Sequence, residues 1–487
     1  MPIDPLRLHL PPDLSPERIV PRPASTDGGG EFVLYWMQST FRAHHNFALH
    51  HAVDVANALR VPVLVYHGLR HDYPWANDRL HTFILESVVD LAAAFAARGI
   101  QYTFWLDESD APGATWPAEA ERRPAAAPRP PSALQILADR AALVVTDFLP
   151  TFIHPRQLRG LRRKTKTPVV AVDSATVVPM RFHDKAHLSA RGIRPVLMNA
   201  LPRFLVAPEE PVLDVRRTIE VPFTPTVPTL ETIPALVARC AIDHTVPPVE
   251  AIRGGTVAGQ ARLRDFLVTG LPRYAAERGD PNAPVTSRLS PYLHFGNVSP
   301  HEVLLAVRAA DIPGDTGSSG ENAEKFVDEA LVWRELAHNF CFFDPRHRTP
   351  AAIPSWAQVE LEKHREDPRP ALYTDAQIEA ADTGEPLWNA AQRQYLRDGF
   401  MHNYLRMLWG KAVLQWTTDA ATALRILEHN NNKYSLDGRD ASTYSGLHWI
   451  FGKFDRPFYR HPIYGTVRYM SLKTAKDKFD VAALLRR

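Results

Sequence analysis

Two domains of different class are predicted: an α/β domain built on a parallel sheet, then an all-α domain. Three features carry this. Short apolar runs alternate with amphipathic stretches over residues 31–205. Residues 206–245 are rich in proline and interrupt that rhythm. Beyond them, over residues 246–487, long segments show helical periodicity and no clear alternation of period two. A chain of 487 residues is also too long for one ordinary core.

The elements follow in order. Residues 1–30 are proline-rich, end in Gly28-Gly29-Gly30, and read as an irregular lead-in. FVLYWM (32–37) is the first strand. A helix follows from Asn46 to Leu59, with Ala48, Val53, Ala56 and Leu59 among its apolar positions. VPVLVYHG (61–68) is the next strand, then a helix around 78–98, then QYTFWL (101–106). The Ala/Pro-rich stretch 111–131 reads as a surface insertion. ALVVTDF (142–148) and PVVAVD (168–173) complete the strands. Strands in this rhythm imply a parallel sheet covered by helices. Residues 206–245 read as an interdomain connector. Helical periodicity then appears at 257–269, 300–310, 321–341, 387–416 and 418–430.

Composition narrows the function. Hydrophobic residues make up 45% and charged residues 23%, the balance of a globular protein. No run of about 18 apolar residues appears, so no membrane partner is expected. The N-terminus lacks a basic start followed by an apolar stretch, so an intracellular, cytoplasmic location is expected. Cys240 and Cys341 form no ligand cluster, which predicts a reducing compartment and no metal site. The net charge is only +2, but from Lys433 onward there are eleven Lys/Arg against five Asp/Glu. Such a basic quarter suits phosphates. P-loop, dinucleotide-fingerprint, zincin and nucleophile-elbow motifs are all absent.

Four constellations carry chemistry. In Thr286-Ser287-Arg288-Leu289-Ser290-Pro291, hydroxyls and amides near a helix start suit phosphate oxygens; taken alone, this is an N-cap with a turn. Glu329 and Trp333 are four apart, so a carboxylate and an indole share one helical face. Pro386-Leu387-Trp388-Asn389-Ala390-Ala391-Gln392 is followed by Met407, Trp409 and Trp416. Trp409 and Trp416 are seven apart, nearly two helical turns, so they are expected on one face. Closely spaced indoles can pass an electron by hopping; a packing stripe is the plainer account. The densest group runs Asn431-Asn432-Lys433-Tyr434-Ser435-Leu436-Asp437-Gly438-Arg439-Asp440, then Trp449, Asp455-Arg456 and Arg468-Tyr469-Met470. Amides, acids and arginines interleaved with aromatics suit a large heteroaromatic cofactor and a stacked base.

On these motifs the chain resembles the photolyase/cryptochrome superfamily. T-S-R-L-S-P-Y-L-H-F-G carries the general likeness. P-L-W-N-A-A-Q, K-Y-S-L-D-G-R-D, R-Y-M and K-F-D-V are similar to the class II cyclobutane pyrimidine dimer photolyases. The resemblance implies a Rossmann-like antenna domain over 31–205 and a helical, FAD-binding catalytic domain over 246–487. It implies that Tyr274 and Thr286, Ser287, Arg288, Leu289 and Ser290 hold the FAD phosphates. Asn431 would face the flavin N5 and stabilise reduced flavin, with Asp437 and Asp440 in the loop lining the ring. Trp409 and Trp388 would relay electrons for photoreduction, with Trp416 a third member. Arg278, Glu329, Trp333, Met407 and Trp449 would line the lesion pocket, and Asp455 and Arg456 would flank the flipped dimer. Glu329 would hydrogen-bond the dimer.

The implied reaction is light-driven repair of pyrimidine dimers in ultraviolet-damaged DNA, by a monomer. An antenna chromophore, deazaflavin or folate, would occupy the first domain. Two departures stand out. Gln38-Ser39-Thr40-Phe41-Arg42-Ala43-His44-His45-Asn46 replaces the family's Arg-Asp-rich segment. The loop after Trp449 is one residue shorter than usual, with Phe458 where an indole is common. The main alternative is a cryptochrome-like blue-light photoreceptor, against which the lack of a long extension after K-F-D-V is the expectation. A flavin-free nucleic-acid-binding protein and a small-molecule flavoenzyme are the others.

Overall fold

The computed structural model describes residues 15–20, 29–107, 132–310 and 320–486. The stretch at 111–131 and most of the lead-in lie outside the described residues. Two compact units emerge. One takes the described residues of Met1–His183 with Ala200–Ala261 and Pro291–Leu305. The other takes Asp184–Asn199, Arg262–Ser290 and the described residues of Ala306–Arg487.

The first unit is built on a six-stranded sheet in the order β1-β6-β5-β2-β3-β4. The strands are β1 (Ile19–Val20), β2 (Val33–Met37), β3 (Val63–Leu69), β4 (Gln101–Leu106), β5 (Leu143–Asp147) and β6 (Val169–Val172). All neighbours are parallel except β1 and β6. Val33 lies opposite Val63 on one side and Leu143 on the other. Strands β2, β5 and β6 are buried throughout. A strand covered on both faces calls for an apolar run, supplied throughout β2 and β6; β5 ends in Thr146 and Asp147, whose polar side chains are hydrogen-bonded to β2. β1 departs from the expected irregular lead-in. Ile19 pairs with Val172 and Val20 with Ala171, antiparallel, on the sheet edge. Arg18 anchors it, donating to the carbonyls of Asp173 (3.1 Å), Thr176 (2.9 Å) and Val177 (2.6 Å).

Helix α1 (Phe47–Leu59) starts at Asn46, whose side chain accepts from Leu49 N, and ends at left-handed Arg60. Helix α2 (Asp78–Ala97) is capped by Asn77. α2 has the length and apolar composition to cross a membrane, but half of that stretch is buried inside the protein. Its Arg79 is buried and donates to the Pro247 carbonyl at 3.0 Å. It is a core helix. The proline-rich stretch 206–245 contains a short helix, α3 (Ile233–Ala238), and belongs to the first unit; a further short helix, α4 (Tyr274–Glu277), belongs to the second.

The segment Gln38–Asn46 is shaped by one carboxylate. Asp147, at the end of β5, accepts from the backbone N–H of Gln38 (2.8 Å), Ser39 (2.8 Å) and Thr40 (3.1 Å), and from the Tyr35 hydroxyl (2.8 Å). It is 2% exposed, and the Tyr35 and Thr40 donors are buried with it, so those two have no ready substitute in water.

The second unit is helical. α5 (Glu321–Val327) runs into a π-helical stretch, Asp328–Trp333, and on into α6 (Arg334–Phe343). Then come α7 (Pro386–Asp398), α8 (Asn403–Gln415), α9 (Ala420–Tyr434) and α10 (Ala441–Ile450). The expected single helical segment at 387–416 is two helices. Gly399 adopts φ 59°, a left-handed C-cap, and His402 caps the second helix. The caps of α9 and α10 are Asp419 and Asp440. The core between these helices is closed by Trp388, Tyr395, Trp409, Leu427 and Leu447.

Asp147→Ala is expected to destabilise the first unit by about 2–4 kcal/mol, because four donors, two of them buried, lose their acceptor. Urea unfolding checks this; an unchanged midpoint would contradict the role given to this carboxylate.

Candidate active site

All the residues singled out for chemistry lie in the second unit. They form three groups.

The first lies around Thr286–Ser290. Arg262 fixes this backbone, donating from Nε to the Ser287 carbonyl (2.8 Å) and from Nη2 to the Thr286 carbonyl (3.2 Å). Arg288 adopts φ 52°, and its guanidinium carbon lies 4.3 Å from the centre of the Phe400 ring. Leu289 is buried, and Ser290 opens the helix Ser290–His294. Tyr274 is buried edge-on against Phe266 and Phe326. Burial, with the Glu329 carboxylate nearby, raises its phenol well above the ordinary range.

The second group is a carboxylate beside stacked indoles. Arg278 Nη1 donates to Glu329 Oε1 at 2.6 Å, and both side chains are about one-third exposed. Burial raises the Glu329 carboxyl above its ordinary value, and the Arg278 guanidinium opposes that shift. Glu329 and Trp333 both belong to the π-helical stretch, a distortion frequent at functional sites. Trp333 stacks on Trp449 of α10, with ring centres 4.7 Å apart and planes 17° from parallel. Trp449 Nε1 is buried with no hydrogen-bond partner among the described residues, and so is Asp455 Oδ2. Arg456 is exposed. Phe458 is 40% exposed, with the Arg468 guanidinium 5.7 Å from its centre.

The third group is a buried chain of aromatic rings. Trp409 Nε1 donates to Gln392 Oε1 (2.8 Å), and Trp388 Nε1 donates to the Trp409 carbonyl (3.1 Å). Trp388 meets Trp416 edge-on at 5.3 Å, and Trp416 meets Tyr373 at 5.2 Å. At the other end Tyr395 lies 5.9 Å from Trp409. The Tyr395 hydroxyl donates to Asn431 Oδ1 at 2.6 Å, and Asn431 Nδ2 donates to Thr443 Oγ1 at 3.1 Å. Burial pushes the Tyr395 phenol up to about 12, so it stays a donor. Arg406 reaches Asp437 Oδ1 at 3.4 Å and lies over the Tyr395 ring.

Trp416 is the C-cap of α8, with φ −105° and ψ 8°, and it packs edge-on against Trp388. Asp440 is turned to its own helix, accepting from Ser442 N at 2.9 Å. Met407 is partly buried against the helical core. Tyr373, Tyr395, Arg406 and Thr443 were given no role in the sequence reading, and Gln392 entered only as the last residue of P-L-W-N-A-A-Q. Their only signal was polar or aromatic character inside helical stretches.

Four buried amide, guanidinium or indole nitrogens without partners among the described residues lie in this unit: Arg369 Nη1, Arg406 Nε, Asn432 Nδ2 and Trp449 Nε1. Asn431 keeps one amide hydrogen beyond its bond to Thr443. Native proteins rarely bury donors without acceptors. Asn431 and Arg406 both meet Tyr395, with Asp437 beside Arg406, and a planar ligand rich in ring nitrogens and carbonyls fits that donor set.

A family model described as DNA photolyase matches residues 33–212. A deoxyribodipyrimidine photo-lyase of Methanothermobacter thermautotrophicus is 35% identical over 453 residues, covering 93% of each chain. One from Potorous tridactylus is 31% identical, covering 96% of this chain and 84% of that one. Among solved structures, a class III photolyase from Agrobacterium tumefaciens superposes with a TM-score of 0.68 at 17% identity, covering 94% of this chain and 86% of that one. A Synechocystis cryptochrome gives 0.67 at 16% identity, covering 93% and 88%. The structural likenesses establish the photolyase/cryptochrome fold, and the sequence relationship along nearly the whole chain establishes more: the chain belongs to the DNA photolyase family.

Proposed function

We propose that this protein is a class II photolyase, repairing cyclobutane pyrimidine dimers in DNA by light. The observation that carries the reading is the junction at Gln392. This residue closes the P-L-W-N-A-A-Q motif. It accepts from Trp409 Nε1 and donates to Asn430 Oδ1 at 3.0 Å, next to Asn431 and the K-Y-S-L-D-G-R-D motif. The two motifs on which the class assignment rests are thus joined through α9, which carries both Asn430 and the start of K-Y-S-L-D-G-R-D.

Reduced FAD, when bound and excited by light, supplies the electron that splits the dimer. The protein's residues do the rest. Asn431, held at both ends of its amide by Tyr395 and Thr443, presents its remaining hydrogen in a fixed direction. Arg406 and Asp437 set the charge beside it. Trp409, Trp388 and Trp416 carry reducing electrons inward from Tyr373, which is only partly buried. A dimer inside a duplex is out of reach and must be flipped out; its damaged stacking lowers that cost. The Trp333–Trp449 stack supplies an apolar wall for the extruded bases. Glu329, kept in place by Arg278, accepts a hydrogen bond from them. Arg456 and the other cations near the C-terminus hold the phosphates. The first unit takes the antenna role, with a deazaflavin or folate as its chromophore.

Ultraviolet-irradiated oligo(dT), incubated with the reduced protein under blue light, is expected to regain its ultraviolet absorbance. No recovery is expected in darkness. A protein that binds and photoreduces flavin but restores no absorbance in light would point instead to a photoreceptor.

Trp409→Phe is expected to slow photoreduction about tenfold, or about 1.4 kcal/mol on the barrier, while pre-reduced enzyme keeps its repair rate. Transient absorption and single-turnover repair separate the two. Equal loss of both would contradict the separate relay.

A further inference from the structure

Helix α8 carries a buried cation that the scheme above leaves without a task. Lys411 is 0% exposed. Its Nζ donates to the carbonyl of Ile450, the last residue of α10. Its own carbonyl accepts from the Tyr464 hydroxyl at 2.7 Å, and Nζ lies 5.9 Å from the centre of that ring. A lysine at this position satisfies a terminal carbonyl and meets the negative end of the helix dipole. The chain turns immediately afterwards. Trp449 is one residue back, and Gly452 (φ 95°) leads on to Asp455. Asp455 Oδ2 is buried without a hydrogen-bond partner among the described residues, and its charge attracts Lys411.

Burying an ammonium costs several kcal/mol, and apolar side chains of similar volume often serve stability as well or better. The charge therefore calls for a reason beyond packing. We propose that Lys411 is a positioning residue for lesion recognition: it fixes the end of α10 and the following loop, and thereby sets Trp449 and Asp455 against the flipped dimer. This rests on the lesion-pocket reading above.

Burial brings the Lys411 ammonium down to about 7. It is charged below that pH and neutral above it. The charges facing it are Asp455, which favours the ammonium, and Arg468, which opposes it. The Tyr464 phenol is raised far above the ordinary range by burial and stays neutral. Deprotonation thus removes the attraction to Asp455 and weakens the hold on the helix end. Selectivity for the lesion should fall as pH rises through about 7.

The test measures, in the dark, the Kd of the flavin-loaded protein for a duplex with one thymine dimer and for the same duplex undamaged. Titrations run between about pH 6 and about pH 8.5. The ratio of the two constants cancels the shared phosphate contacts. In the unaltered protein the ratio is expected to drop about tenfold across that range, equivalent to about one pKa unit of coupling. Lys411→Met should be flat at the high-pH value, with repair at saturating DNA unchanged in pre-reduced enzyme. A flat profile in the unaltered protein overturns the proposal, whether or not the variant folds. So does a variant that keeps the pH dependence. No preference for the dimer at any pH overturns the repair reading, and this inference with it.

Discussion

The active unit depends on one close helix crossing. α8 and α10 meet at Gly410, where a Cβ would lie 2.0 Å from Ile450 Cδ1. Only glycine allows that approach without displacing the partner. The residues flanking the crossing carry the candidate chemistry. Trp409 lies on one side of Gly410 in sequence and Lys411 on the other; Trp449 precedes Ile450. One member of the aromatic chain and one of the indole wall thus flank a contact at which Ile450 must move if Gly410 gains a side chain.

Around that crossing a polar network replaces part of the apolar core. Two buried groups, Trp409–Gln392–Asn430 and Tyr395–Asn431–Thr443, are each joined by hydrogen bonds within 2.6–3.1 Å. Buried networks with satisfied members fix side-chain directions more firmly than apolar packing does. Donors on Arg369, Arg406, Asn432 and Trp449 are left without partners among the described residues of the unit. Departures of this kind concentrate at functional sites.

Much of the sheet was legible because β2, β5 and β6 are covered on both faces and so read as wholly or largely apolar runs. β1 was not. Two residues carry no periodicity, and their pairing depends on Val172 and on Arg18 finding three carbonyls across the chain. The break at Gly399 was missed because apolar spacing continues through it. The spacing of Glu329 and Trp333 was read as α-helical, whereas both lie in the π-helical stretch, which apolar periodicity does not reveal. Trp388 and Trp409 could not be paired from spacing either: 21 residues separate them, and their contact exists only once α7 and α8 pack. The same holds for Trp416, whose position depends on where α8 ends.

The account's central claim is that the α8–α10 crossing holds the relay and the indole wall together. Gly410→Ala tests it directly when compared with Gly410→Ala combined with Ile450→Ala, which removes the obstructing side chain. Photoreduction rate and dimer affinity are measured on both. Both quantities are predicted to fall together in the single variant and to recover together in the double variant. Recovery of neither, or a loss confined to one of them, would contradict the claim.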